Sequence, residues 1–296
     1  MNRCINLLMI MLLSFATSAL TQPLPRYYQL DPKPYDPEVD VNTDLFINHW
    51  KNSDPINLHG DLVINDILVP LKGDTLNPSE KGAVLTVLKR VSHFSINPGS
   101  SSGTFSLRGE QEIYFITDGV GEISSGGKSY QIYPEVGVLI PESVQATITN
   151  TGQAELTGYL WVEPTYAGFT PKIDITVRDT SEFPVEGPPG HWANYHRPII
   201  SMEDGLAVLR DVHQTILKPM SISQMHASRP IGTDVVWIAL DGNIYTLFGK
   251  KLYHLRTGTA FKNPSDSKVY HGSINISDHT DIRLIWARVI NEIPPK

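Results

Sequence analysis

The chain has 296 residues, with 24 Lys and Arg against 31 Asp and Glu, a net charge of −7. No basic cluster stands out, which argues against a nucleic-acid partner, and the length suits two domains of ordinary size. A single cysteine, Cys4, excludes an internal disulfide and a sulfur-rich metal site.

In chain order, the first segment reads as an export signal over 1–20. Arg3 precedes an apolar run from Ile5 to Leu13, and small residues follow at Ala16-Thr17-Ser18-Ala19. The run is too short to span a bilayer, and no later stretch is longer. Removal near Ala19 would take Cys4 with it and leave an exported chain, periplasmic or extracellular, without a membrane segment. Residues 21–60 are expected as an extended arm, because Pro23, Pro25, Pro32, Pro34 and Pro37 forbid helix. Tyr27, Tyr28 and Tyr35 in that arm suit packing against the chain's own barrel or a second copy, which allows a homo-oligomer. From 61 to 165, short apolar runs alternate with turn signals such as Asn97-Pro98-Gly99 and Ser125-Gly126-Gly127. A Pro-rich passage, 166–200, reads as a linker. Its Gly190-His191-Trp192-Ala193-Asn194-Tyr195-His196 fits packing at a barrel mouth or the lining of a pocket. The β pattern resumes over 201–296. No long amphipathic helix is evident, so the expectation is all-β.

The two β segments are copies. Placing Glu112 over Val235 puts Gly119 over Gly242, Gly126 over Gly249, Tyr130 over Tyr253 and Pro141 over Pro264, at a constant offset of 123. A fixed-period self-similarity of this kind marks one supersecondary unit used twice. Gly119 and Gly242 are expected in turns at positive φ, and Pro141 and Pro264 at strand starts or edges.

The repeat resembles the cupins, small jelly-roll barrels. Glu112, Gly119, Pro141 and Asn150 fall on that family's two motifs in the first copy. Gly242, Gly258, Pro264, His271 and Asn275 do so in the second. Two residues are added between Pro264 and His271. The resemblance implies two jelly-roll (cupin) β-barrels in tandem behind an extended N-terminal arm. It also implies a barrel interior that, in the family, holds a transition metal with three imidazoles and a carboxylate, a donor set suited to such ions.

The ligands are largely missing. In the first copy the paired-histidine positions fall at Ser106 and Arg108, or at Phe105 and Leu107, and the last histidine is Ala146. Glu112 alone remains, to pair with Arg108 or to hold a small polar ligand, so no metal is expected there. In the second copy His271 remains, while Val235 stands at the carboxylate position and Arg229 and Ile231 near the paired histidines. Asp234 is one residue off and would face inward only through a bulge, since adjacent strand residues face opposite ways. A divalent transition metal in this barrel would have at most His226, Asp234 and His271. The sequon Asn275-Ile276-Ser277 coincides with the family's motif asparagine and is read as chance. Ligand-binding candidates are therefore His271, His226, Asp234, Trp237 and Tyr245 in the second barrel, with Glu112, Arg108 and Tyr114 in the first. The favoured reading is an exported two-barrel protein, small-molecule-binding or structural, without a cofactor. The alternative is a metal enzyme of the decarboxylase, dioxygenase or aminohydrolase kind using a non-standard site in the second barrel.

Overall fold

A computed structural model describes residues 34–187, 192–227, 233–265 and 267–289. The expected export signal, most of the Pro/Tyr-rich arm, His191, and Arg229 and Ile231 lie outside the described residues. The chain divides into two units after Tyr35, and every strand belongs to the unit Asp36–Lys296.

Before the first barrel comes a strap: β1 (Ile47–His49) between two 3-10 turns, Thr43–Phe46 and Trp50–Asn52. The first barrel follows with β2 (Pro55–His59), β3 (Leu62–Pro70), β4 (Ala83–Leu85), β5 (Arg90–Ile96), β6 (Glu110–Asp118), β7 (Gly121–Ser125), β8 (Lys128–Ile132), β9 (Val136–Ile140), β10 (Thr147–Asn150) and β11 (Leu156–Pro164). Then come β12 (Thr176–Asp179), a 3-10 turn at Thr180–Glu182, and β13 (Asn194–Ser201). The second barrel holds β14 (Leu209–Leu217), β15 (Ser221–Ile222), β16 (His226–Ala227), β17 (Val235–Ala239), β18 (Ile244–Phe248), β19 (Lys251–Leu255), β20 (Thr259–Lys262), β21 (Tyr270–Asn275) and β22 (Ile282–Val289). The fold is all-β, as the resemblance implied.

Each barrel pairs a large sheet with a small one. The large sheets run β12-β9-β6-β11-β5-β3-β2 and β1-β20-β17-β22-β14-β13, and the small ones β10-β7-β8 and β15-β21-β18-β19. The repeat holds its register across the aligned strands. Tyr114 pairs with Val138 and Trp237 with Phe261; Glu122 pairs with Gln131 and Tyr245 with His254. Past the two added residues the offset becomes 125, so that Asn150 opposite Gly121 becomes Asn275 opposite Ile244. Both asparagines do the same work. Asn150 donates to the carbonyls of Ile96 and Ala154, and Asn275 to those of Leu217 and Thr280. Asn275 is therefore a buried structural group, and its amide is committed.

Two expectations need correction. Gly119 has φ +82, and a Cβ there would lie 2.3 Å from the Glu155 carbonyl oxygen, but in the second copy the left-handed residue is Asn243, at φ 69. Both glycines lie where the chain crosses from the large sheet to the small one, so neither makes a hairpin turn. Pro141 and Pro264 follow β9 and β20 and close strands instead of opening them.

The large sheets face each other. Along β6, Glu112, Tyr114 and Ile116 look into the first barrel, while Gln111, Ile113 and Phe115 look out towards the second. Ile113, Phe115, Leu139 and Trp161 join Val236, Ile238, Ala260 and Ile285 in one apolar cluster, while Phe94, Tyr114, Ile123 and Leu160 belong to a separate cluster inside the first barrel. A sheet covered on both faces needs apolar residues at consecutive positions, hence runs such as Val136–Ile140 and Val235–Ala239.

Two buried carboxylates lock this interface. Asp234 accepts from the backbone amides of Thr86, Val87 and Leu88, and Glu163 from those of Ala207, Val208 and Leu209. Each carboxylate belongs to one barrel and each trio of amides to the segment entering the other's large sheet. Lys262, 3.2 Å from Asp234, and Gln111, 2.9 Å from Glu163, complete the sets.

The strap has a counterpart. β1 pairs with β20, placing His49 opposite Thr259, and β12 pairs with β9, placing Asp179 opposite Val136. Each strand leads into a 3-10 turn that its last residue caps. His49 Nδ1 accepts from the Lys51 amide, and the Asp179 carboxylate accepts from the Ser181 amide. Segment 34–60, read as an extended arm, thus contributes an edge strand to the second barrel and β2 to the first.

Candidate functional site in the second barrel

In the first barrel Glu112 does face the interior, followed on the same face of its strand by the buried Tyr114 and Ile116. It accepts from Tyr114 Oη at 2.6 Å and meets His59 Nε2 at 2.9 Å. His59 stacks on Phe105, with ring centroids 3.7 Å apart. Burial, with Glu112 adding to it, holds the Tyr114 phenol well above its usual range. Arg108 does not take part. It is exposed, while Phe105 and Leu107 turn towards the barrel. Apart from Ser92, whose hydroxyl donates to Asp66, the rest of this interior is apolar: Phe94, Ile123, Ile140, Ala146, Ile148, Leu160 and Val162 fill it.

The register gives the residue that replaces each of these in the second barrel. Phe94 becomes Thr215, Ile123 becomes Thr246, and Ile140 becomes Asn263. Ala146 becomes His271, Ile148 becomes Ser273, Leu160 becomes Trp286 and Val162 becomes Arg288. Two more exchanges are Ile64 to His196 and Ser92 to His213. Apart from Ser92, these positions of one barrel carry hydrocarbon; those of its copy carry imidazole, indole, hydroxyl, amide and guanidinium.

These groups are in contact. His196 stacks on His213 at 4.1 Å, His213 lies 4.3 Å from Trp286, and Trp286 lies 6.0 Å from Trp237. Trp237 lies 5.7 Å from His271, and His271 lies 4.4 Å from His226. Asn263 Nδ2 donates to His271 Nε2 at 3.4 Å, and His226 Nδ1 donates to the Gln224 carbonyl at 3.0 Å. At the far end of the row the Arg288 guanidinium lies over the Trp286 ring at 5.0 Å, and Asp211 stands opposite Arg288 in the ladder. Burial pushes the Asp211 carboxyl up, against the pull of Arg288 and Arg210, and it pushes Arg288 down. Burial, then His196 and Arg288, holds His213 well below the usual imidazole value, so that it is neutral at pH 7. Among the described residues Trp237 Nε1, His213 Nε2 and Thr215 Oγ1 are buried without a hydrogen-bond partner. Each such atom costs about 1–3 kcal/mol, which a bound polar molecule recovers.

The structure sorts the predicted residues. His226 and His271 are brought side by side, His226 occupying the place of Phe105, and Trp237 adjoins them. Asp234 is not with them: no bulge turns it inward, and its carboxylate is spent on the barrel interface. Tyr245 points outward, because Thr246 takes the inward place beside Ser273, and its ring stacks on His254 at 4.8 Å. His213, Asp211, Arg288, Trp286 and Thr215 are not evident from sequence, and neither is His59. The repeat itself holds the signal for the strand β22 residues, since Trp286 and Arg288 follow from carrying the register to β11.

The fit to a metal cage is poor. Val235 replaces the carboxylate, and no group of three or more His, Cys, Asp or Glu able to hold an ion occurs among the described residues. Two imidazoles fall short of the three or four protein ligands that hold a transition ion tightly.

No family model matches the chain, and no curated protein sequence does either. Solved structures do match. A Pseudomonas aeruginosa protein described as glyoxylate-induced is 11% identical, with a TM-score of 0.65 over 93% of this chain and 95% of its own. Vicilin from hazelnut, Corylus avellana, is 10% identical, with a TM-score of 0.60 over 83% of this chain and 85% of its own. Oxalate decarboxylase from Bacillus subtilis, a protein with Mn(II) centers, is 10% identical, with a TM-score of 0.61 over 93% of this chain and 86% of its own. The likeness is one of fold and extends over most of each chain.

Proposed function

We propose that this chain, a tandem of two cupin barrels, is an exported protein that binds a small polar molecule inside its second barrel. The first barrel is its filled structural partner. One observation carries the reading: at matched positions of a repeated fold the first interior is mostly hydrocarbon with its few polar groups partnered, while the second is largely polar, with buried polar atoms left without partners. Concave sites that mix aromatic walls with a few fixed polar groups are the usual form of a ligand pocket. Arg288 offers a carboxylate its guanidinium, while Thr215 and the Trp237 indole offer hydroxyl partners. The class that suits them is a small molecule with both carboxylate and hydroxyl groups, a sugar acid or hydroxy acid.

A thermal-shift screen of sugars, sugar acids and small carboxylates tests this. A stabilising ligand is expected, and Arg288→Gln should abolish its effect while leaving the fold intact. A screen without a stabiliser, or a ligand indifferent to Arg288→Gln and His271→Ala, removes the reading. The paired imidazoles His226 and His271 favour a second reading, a metal-dependent enzyme. Metal analysis of untagged protein decides it: stoichiometric metal lost in His271→Ala supports that reading, and trace metal unchanged by the substitution removes it.

A further inference from the structure

The repeat provides an internal control for the outside of the barrels as well. At one corner of each, a strap strand and its 3-10 turn lie over the large sheet's edge. On the first barrel this corner holds Asp179 and Glu182 on the strap, and Tyr133 donates from the barrel to Asp179 at 2.7 Å. At the matching places on the second barrel stand His49 and Asn52, and Arg256 replaces Tyr133. Lys51 replaces Ser181, and His254 replaces Gln131. An acidic corner has become a basic one on a chain whose net charge is −7.

The basic corner is also open. A cleft of about 570 Å³ lies there, lined by Lys51, Arg256, His254, Asn243, Asn52 and Thr257 among others, without an acidic residue. Among the described residues neither Lys51 nor Arg256 makes an ion pair, although 13 pairs of Lys or Arg with a carboxylate occur among them. Both cations act on the same ring, His49, whose own nitrogens are committed: Nε2 donates to the Thr257 carbonyl and Nδ1 accepts from the Lys51 amide. Burial first, and then Lys51 and Arg256, keep His49 below the usual imidazole value. The ring is thus a neutral strut that sets the two cations at one opening. His254 Nε2 donates to Asn243 Oδ1, which leaves the Asn243 amide nitrogen as a further donor.

We infer that this corner is an anion site, separate from the barrel interior, which takes a small molecule bearing phosphate or carboxylate groups between Lys51 and Arg256. Lys51 Nζ lies over the Trp50 ring at 5.1 Å but, like Arg256, has no carboxylate partner among the described residues. Two such cations in a cleft without acids attract and orient anionic groups, and guanidinium in particular suits their paired oxygens.

Isothermal titration of the full chain with inorganic pyrophosphate and with citrate, at fixed ionic strength, tests the inference. Saturable one-to-one binding of at least one of them is expected, together with a rise in melting temperature. The double variant Lys51→Gln/Arg256→Gln should weaken binding about tenfold or more and abolish the rise. Removing the same charge elsewhere, with Lys72→Gln/Lys128→Gln, should leave binding within about twofold. Preference for pyrophosphate assigns the site to phosphate groups, and preference for citrate to carboxylates. The inference falls if neither anion saturates, or if both double variants bind as the parent does, or if both weaken alike. Citrate is also a hydroxy acid of the class proposed for the barrel interior, so its titration is repeated in Arg288→Gln. Binding kept there and lost in Lys51→Gln/Arg256→Gln belongs to the corner. Binding lost only in Arg288→Gln belongs to the barrel and counts against the corner.

Discussion

Single residues show how the same frame takes opposite chemistry. Glu112 satisfies His59 and Tyr114 in a barrel that is mostly hydrocarbon, so its removal orphans a buried phenol and a half-buried imidazole. Glu112→Leu should destabilise the protein by roughly 2–4 kcal/mol in urea unfolding, while Arg108→Ala should change little. His93 offers a test by pH. It lies between Trp50, stacked at 4.4 Å, and the edge of Tyr159, and burial lowers its value to about 4. The unfolded chain takes up this proton near pH 6.5 and the folded chain does not until about pH 4. Stability should therefore fall as pH drops across that window, by roughly 3 kcal/mol from this ring alone, and level off below it. Urea unfolding of the parent and of His93→Phe between pH 7 and pH 4 should show the slope reduced in the variant.

At the scale of elements, the straps matter most. Gly258 has φ +87, and a Cβ there would lie 2.4 Å from the indole of Trp50. Gly258→Ala should therefore loosen the first strap, cost roughly 1–3 kcal/mol, and expose the chain near Trp50–Asn52 to limited proteolysis. The small sheets, hairpins and paired asparagines are legible in the sequence because they obey an offset of 123 that becomes 125 after the two added residues, and Glu112 and Val235 do hold matching places. The site is half legible. His226, Trp237 and His271 can be named because they sit on or near a motif. His213 and Asp211 cannot, since β14 carries no motif and its inward face is fixed only by pairing with β22. Asp234 misleads for a related reason: the pleat gives its side of the strand, but not that the outer side is itself buried against a second barrel that supplies three amides.

For the whole molecule, the carboxylate clasps predict cooperativity. Asp234 and Glu163 each gather amides across the interface, and a buried carboxylate with several donors is costly to strip. Asp234→Ala and Glu163→Ala should each cost roughly 3–5 kcal/mol, by the loss of an anion to which several amides are aimed. Calorimetry of the double variant should resolve two transitions where the parent shows one, because the shared apolar cluster would no longer be pinned in register.

The first strap also imposes an order on biosynthesis. Ile47–His49 leave the ribosome early, yet their partners Thr259–Phe261 are made some two hundred residues later. During that interval the upstream edge strand must stay unpaired while β2–β11 close around their own core. Contacts this distant along a chain are slow to form. A nascent polypeptide arrested before β20 should hold a finished first domain with a protease-sensitive leader. Translation past β20 should convert that leader, abruptly, into a protected one.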